Sequence, residues 1–115
     1  GLSNHELDHP WPKLKRTRKR FVELLQKPSF VAEDFFAILS DRAPAEDREL
    51  PDTGIARPME KLLSSPFIVS PQYGTRSSTV ILIDNDGRCI FKERSYAPDS
   101  YATRTEEFDF RIGFD

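Results

Sequence analysis

Thr79-Val80-Ile81-Leu82-Ile83-Asp84-Asn85-Asp86-Gly87 is the stretch that decides how this chain folds. Its first five residues are all β-branched or aliphatic, which favours extended backbone. Because the run is unbroken and does not alternate with polar residues, it predicts a strand covered on both faces. The next four form a hairpin signal, since Asn and Gly tolerate the positive φ that tight turns require. A strand over 77–83 therefore turns back antiparallel over 88–96. After a loop over 97–102, residues 103–112 alternate. Phe108, Phe110 and Ile112 point one way, and Glu107, Asp109 and Arg111 the other. A shorter strand is expected at Phe67-Ile68-Val69.

Upstream of this meander the period is helical. Pro12 suits a first helical position, where its missing N–H costs nothing. Leu14, Phe21, Leu24 and Leu25 follow at helical spacing, until Lys27-Pro28 stops the ladder. Ser29 is the expected N-cap of a second helix, whose stripe is Val31, Phe35, Ile38 and Leu39, widened by Phe36. A third, short helix over 58–64 presents Met59, Leu62 and Leu63. Helices first and a three-stranded antiparallel meander after them make an α+β chain. Phe30, Phe35, Phe36, Phe67, Phe91, Phe108 and Phe110 are its expected core, the alternative being a ligand pocket lined by some of them. Three strands make a thin sheet with two edges. The sequence thus reads as part of a larger sheet, completed by a missing N-terminal half or by a second copy.

Composition narrows the function classes. The chain has 115 residues and a net charge of −2, so a global electrostatic case for nucleic acid is absent. Its single cysteine, Cys89, cannot form an internal disulfide, and a reducing compartment, the cytoplasm, is the default expectation. No apolar run approaches the roughly 18 residues of a membrane span. Position 1 is Gly, so a start after processing or truncation is expected.

Two motifs carry more specific information. One is Gly1-Leu2-Ser3-Asn4, Leu7-Asp8 and Pro10-Trp11-Pro12-Lys13; the other is Tyr73-Gly74-Thr75-Arg76-Ser77-Ser78-Thr79-Val80, running into Ile83-Asp84 and Gly87. Leu50-Pro51-Asp52-Thr53-Gly54 lies between them. In order and spacing these strings resemble the NRDE-motif family, also called the transport and Golgi organisation protein 2 family. The resemblance spans essentially the whole chain as the C-terminal part of a single domain. It implies an αββα sandwich of the N-terminal-nucleophile-hydrolase type, with the nucleophilic cysteine on an N-terminal half that precedes residue 1. The roles proposed for this family are Golgi and secretory-pathway organisation, haem trafficking, and lipid or acyl-CoA metabolism.

Under that resemblance this chain is a non-catalytic fragment of a protein that binds a small acyl or haem-like ligand. Alternatively it is part of a cysteine-nucleophile amidase or acylase, or an interaction domain using an open sheet edge. Asn4 follows a Ser, as does an oxyanion-hole Asn in related cysteine amidohydrolases. Such a donor is typically worth about 10²- to 10³-fold in rate; otherwise Asn4 caps a turn. Arg76 is the expected anion contact, able to hold a carboxylate or phosphate with two parallel bonds; otherwise it pairs with an acid such as Asp8. Gly74 permits close backbone approach, and Thr75, Ser77 and Ser78 complete the substrate-binding candidate. Trp11 and Asp8 are expected to be scaffold.

Other clusters weigh toward structure. His5 and His9 lie in a Pro-containing loop with no further ligands, so no metal site is expected. Lys13, Lys15, Arg16, Arg18, Lys19 and Arg20 spread around a helix as a solvated basic face, rather than as a site for anionic lipid or a haem propionate. No resident cofactor is expected, with haem entering only as a ligand.

Overall fold

The computed structural model describes residues 11–50, 54–99 and 101–113. Within them the order is α1 (Pro12–Leu25), α2 (Ala32–Leu39), a 3-10 turn (Asp47–Glu49), α3 (Arg57–Leu63), β1 (Ser77–Ile83), β2 (Arg88–Tyr96) and β3 (Ala102–Arg111). The chain is α+β, and its sheet is an antiparallel meander in the order β1-β2-β3.

The hairpin forms as its residues dictate. Asp84 Oδ1 accepts the backbone N–H groups of Asp86 and Arg88, each at 2.9 Å. Gly87 takes φ 82°, a left-handed conformation that a side chain would oppose. From this turn the register runs outward, with Ile83 opposite Cys89, Leu82 opposite Ile90 and Val80 opposite Lys92. β3 continues it, with Phe91 opposite Phe108 and Cys89 opposite Phe110.

Alternation along the strands divides the sheet into two faces. Val80 and Leu82 face the helices and pack with Leu24, Ala32, Phe35, Phe36, Ile38 and Leu39, which is the principal core. Phe36 and Phe67 are almost fully enclosed. The second face is open. Ile81 (52% exposed), Ile83 (58%), Phe108 (54%) and Phe110 (48%) share it with Phe91 and Cys89. Double-sided cover of the first strand is therefore not found among the described residues, and Phe108 and Phe110 are not core. The pattern read from the sequence is present, but no second layer lies against it here.

Four local expectations are corrected. Helix α2 is capped at Val31, not Ser29: the Asp34 carboxylate accepts the Val31 N–H at 2.8 Å, and two residues separate Ser29 from the first helical turn. Helix α3 turns Glu60 inward and leaves Met59 exposed; Arg57 neutralises Glu60 at 3.3 Å, which makes burial of the carboxylate tolerable. The segment Phe67-Ile68-Val69 is not a strand. Its backbone is committed elsewhere: the Phe67 N–H donates to Asp41 O at 2.7 Å, and Ile68 closes a loop onto Thr75. Phe30, expected in the core, is partly exposed beside Phe35 at 5.4 Å.

Candidate functional site

The second motif forms a tied-off loop that delivers Arg76 to the start of β1. Ile68 and Thr75 close the loop twice: the Thr75 N–H donates to Ile68 O at 2.9 Å, and the Ile68 N–H donates to Thr75 Oγ1 at 3.0 Å. Gly74 sits against the same carbonyl. A Cβ placed on it would lie 2.9 Å from Ile68 O and 3.2 Å from Arg76 Nη1. Close approach, not positive φ, is thus what requires glycine at position 74. Beyond the closure, Arg76 O accepts the Tyr96 N–H at 2.8 Å, joining the loop to β2.

The Arg76 backbone is pinned on both sides while its side chain is exposed. It carries no ion pair among the described residues. Ser77 is exposed at the first position of β1, and Ser78 is buried on the helix side. Gly74, Thr75, Arg76, Ser77 and Ser78 are thus contiguous, but only Arg76 and Ser77 present their side chains to solvent. Asn4, Asp8, His5 and His9 lie outside the described residues. Trp11 is half-buried at the N-cap of α1, its carbonyl accepting the Lys15 N–H at 2.9 Å.

Half of the basic run on α1, Lys13, Arg16 and Arg20, is engaged in holding the fold. Arg16 Nε lies 2.7 Å and Arg20 Nη1 3.3 Å from the Asp41 carboxylate, and Arg16 also reaches Ala43 O. Lys13 Nζ donates to Leu63 O at 3.1 Å and lies 5.4 Å from the centre of the Trp11 ring. Burial lowers the Lys13 pKa from its ordinary value. Lys15, Arg18 and Lys19 remain exposed. Cys89 is buried within β2 and is no accessible nucleophile. Among the described residues no three His, Cys, Asp or Glu side chains converge as metal ligands, and no helix is long and apolar enough to cross a membrane.

The sequence allowed a pocket lined by some of the phenylalanines, but not its place along β1. An open groove of about 820 Å3 runs between the helices and β1, lined by Phe21, Leu25, Phe35, Ile38 and the length of β1 from Thr79 to Ile83. The available signal was the width of the α1 stripe: Phe21 and Leu25 add apolar surface beyond what Leu24 needs to pack on α2.

Comparison with known proteins places these residues in context. The family model described as Transport and Golgi organisation 2 matches residues 1–98. A human protein, Transport and Golgi organization protein 2 homolog, is 35% identical over 119 residues, covering 94% of this chain and 43% of its own length. The homolog of the same name from Bos taurus is 35% identical over 123 residues, with the same coverage of 94% and 43%. A Mus musculus protein, Transport and Golgi organization 2 homolog, is 30% identical over 121 residues, covering 97% and 44%. The chain spans less than half the length of these curated relatives.

Proposed function

This chain belongs to the Transport and Golgi organisation 2 family, and on that premise we propose that it supplies the anion-contacting part of a ligand site in a longer protein. The ligand is a small acyl or haem-like molecule bearing a carboxylate or phosphate. The observation that carries this reading is Arg76: an exposed guanidinium without an ion-pair partner among the described residues, on backbone held by Thr75–Ile68 and Tyr96–Arg76 hydrogen bonds. A planar fork of N–H donors on a fixed mount suits two-point recognition of an oxyanion. Ser77, exposed next to it, adds a hydroxyl donor. Cys89, enclosed in the sheet, contributes no nucleophile to this role.

The test is titration of the protein, produced at the length of its relatives, with haem and with a long-chain acyl-CoA. Wild type is expected to saturate in the micromolar range. Arg76→Ala is expected to weaken binding roughly 10- to 100-fold, the equivalent of one charge-assisted contact. No saturable signal with either ligand, or an unchanged affinity in the variant, overturns the reading. The amidase alternative puts the nucleophile on the longer protein and makes Asn4 an oxyanion donor. Absence of an acyl-enzyme with activated esters or amides would exclude it.

A further inference from the structure

The outer edge of β1 and the two apolar surfaces flanking it have one geometric solution. In an antiparallel pair, alternate residues direct their backbone groups to the partner strand and away from it. The Asp84 N–H donates to Arg88 O, and the Tyr96 N–H donates to Arg76 O. These two ladder bonds set the phase. Ser78, Val80 and Leu82 bond to β2, while the N–H and C=O groups of Thr79, Ile81 and Ile83 face outward. β1 pairs only with β2 among the described strands, so those outward groups form an unpaired edge. On the helix side of that edge lies the groove with Phe21, Leu25, Phe35 and Ile38. On the other side lie the exposed side chains of Ile81 and Ile83, continuing into Phe108 and Phe110.

We propose that this edge is paired, in the longer family protein, by a β-strand from the part of the chain beyond these 115 residues, and that this strand is apolar on both faces. Chain length favours that occupant over a second copy. The relatives are more than twice as long as this chain, which covers 43% of the human one, so a tethered strand is available at high effective concentration. The edge also fits poorly with a free surface strand. Exposed edges are ordinarily blunted by charge or proline, whereas β1 offers Thr79, Val80, Ile81, Leu82 and Ile83 without either. The added strand places one set of alternate side chains into the groove and the other set beside Ile81 and Ile83. Apolar residues at both sets are needed to satisfy both surfaces. This inference rests on family membership and not on the identity of any ligand.

Residue-resolved amide hydrogen exchange on the wild-type protein at the length of its relatives tests it. The amides of Thr79, Ile81 and Ile83 are expected to exchange within about tenfold of those of Val80 and Leu82, because all five lie inside a ladder. Exchange of the three outward amides more than about 100-fold faster than their neighbours overturns the proposal. Protection that weakens on dilution overturns it as well, because the edge would then be taken by a second copy. As a second readout, Ile81→Asp in the same protein is expected to lower Tm by more than about 5 °C; a change within about 1 °C, the surface-substitution range, counts against an apolar partner.

Discussion

Arg94 and Glu33, 61 residues apart in the chain, are joined by two parallel hydrogen bonds of 2.8 Å each. The Arg94 guanidinium also lies 4.2 Å from the centre of the Phe36 ring. One side chain on β2 thus clamps α2 through its charge and through its flat face. Arg94→Ala is expected to destabilise the protein by about 1–2 kcal/mol, from the lost cation–π contact and fork together. Glu33→Gln should cost less than about 1 kcal/mol, because the carboxylate is mostly exposed. Arg94→Lys should behave more like the alanine variant than like wild type, since an ammonium cannot form the fork. Urea denaturation of the three variants measures this.

The same pair sets a pH dependence. The hydrogen bond from Arg94 holds the Glu33 carboxyl below the usual carboxylate range, whose ordinary value is 4.5. A carboxyl depressed in the folded state contributes stability above its unfolded value and loses it as pH falls through the folded one. The gap in urea midpoint between wild type and Glu33→Gln is therefore expected at about pH 6 and should close progressively below about pH 4.5. Asp47 beside Lys61 and Asp109 beside Arg88 are depressed in the same way. Wild type and Glu33→Gln share both groups, so their contribution cancels from the difference.

Asp41 joins three parts of the fold. Its carboxylate meets Arg16 and Arg20, its other oxygen accepts the Ala43 N–H at 2.9 Å, and its carbonyl accepts the Phe67 N–H at 2.7 Å. The side chain is only 7% exposed. Asp41→Ala should cost about 3 kcal/mol, because it leaves a partly buried guanidinium without its counter-charge. Arg20→Ala, at the exposed end of the cluster, should stay within about 1 kcal/mol. Thermal unfolding of both variants separates the two expectations.

Gly74→Ala is expected to cost about 1–3 kcal/mol, since the added methyl meets a backbone carbonyl and not a yielding side chain. Because the loop carries Arg76, the substitution should also weaken ligand binding under the proposed function. Calorimetry gives the first effect and titration the second.

Much of the fold was legible because it is written locally. The Asp84–Gly87 turn, the alternation of 103–112 and the Lys27-Pro28 stop each depend on a few neighbouring residues. The errors came where a distant partner decides. Phe67-Ile68-Val69 has strand composition, but Asp41 O and Thr75 take its backbone groups. Glu60 has the composition of a surface residue, but Arg57 allows it inside. Within the candidate site, the close approach at Gly74 was legible from its motif, while the groove along β1 needed two helices brought beside one edge.

The sequence by itself determined the order of elements, the hairpin, the two-faced apolar character of β1 and the family to which the chain belongs. The first three follow from backbone preference and periodicity, which act over a few residues; the family follows from the resemblance of the two motif strings. Only the tertiary structure decided which apolar face is covered, that Arg94 ties β2 to α2, and that half of the basic run on α1 is held by Asp41 and backbone carbonyls. Burial and pairing are relations between residues far apart in the chain, and they exist only once the chain has closed on itself.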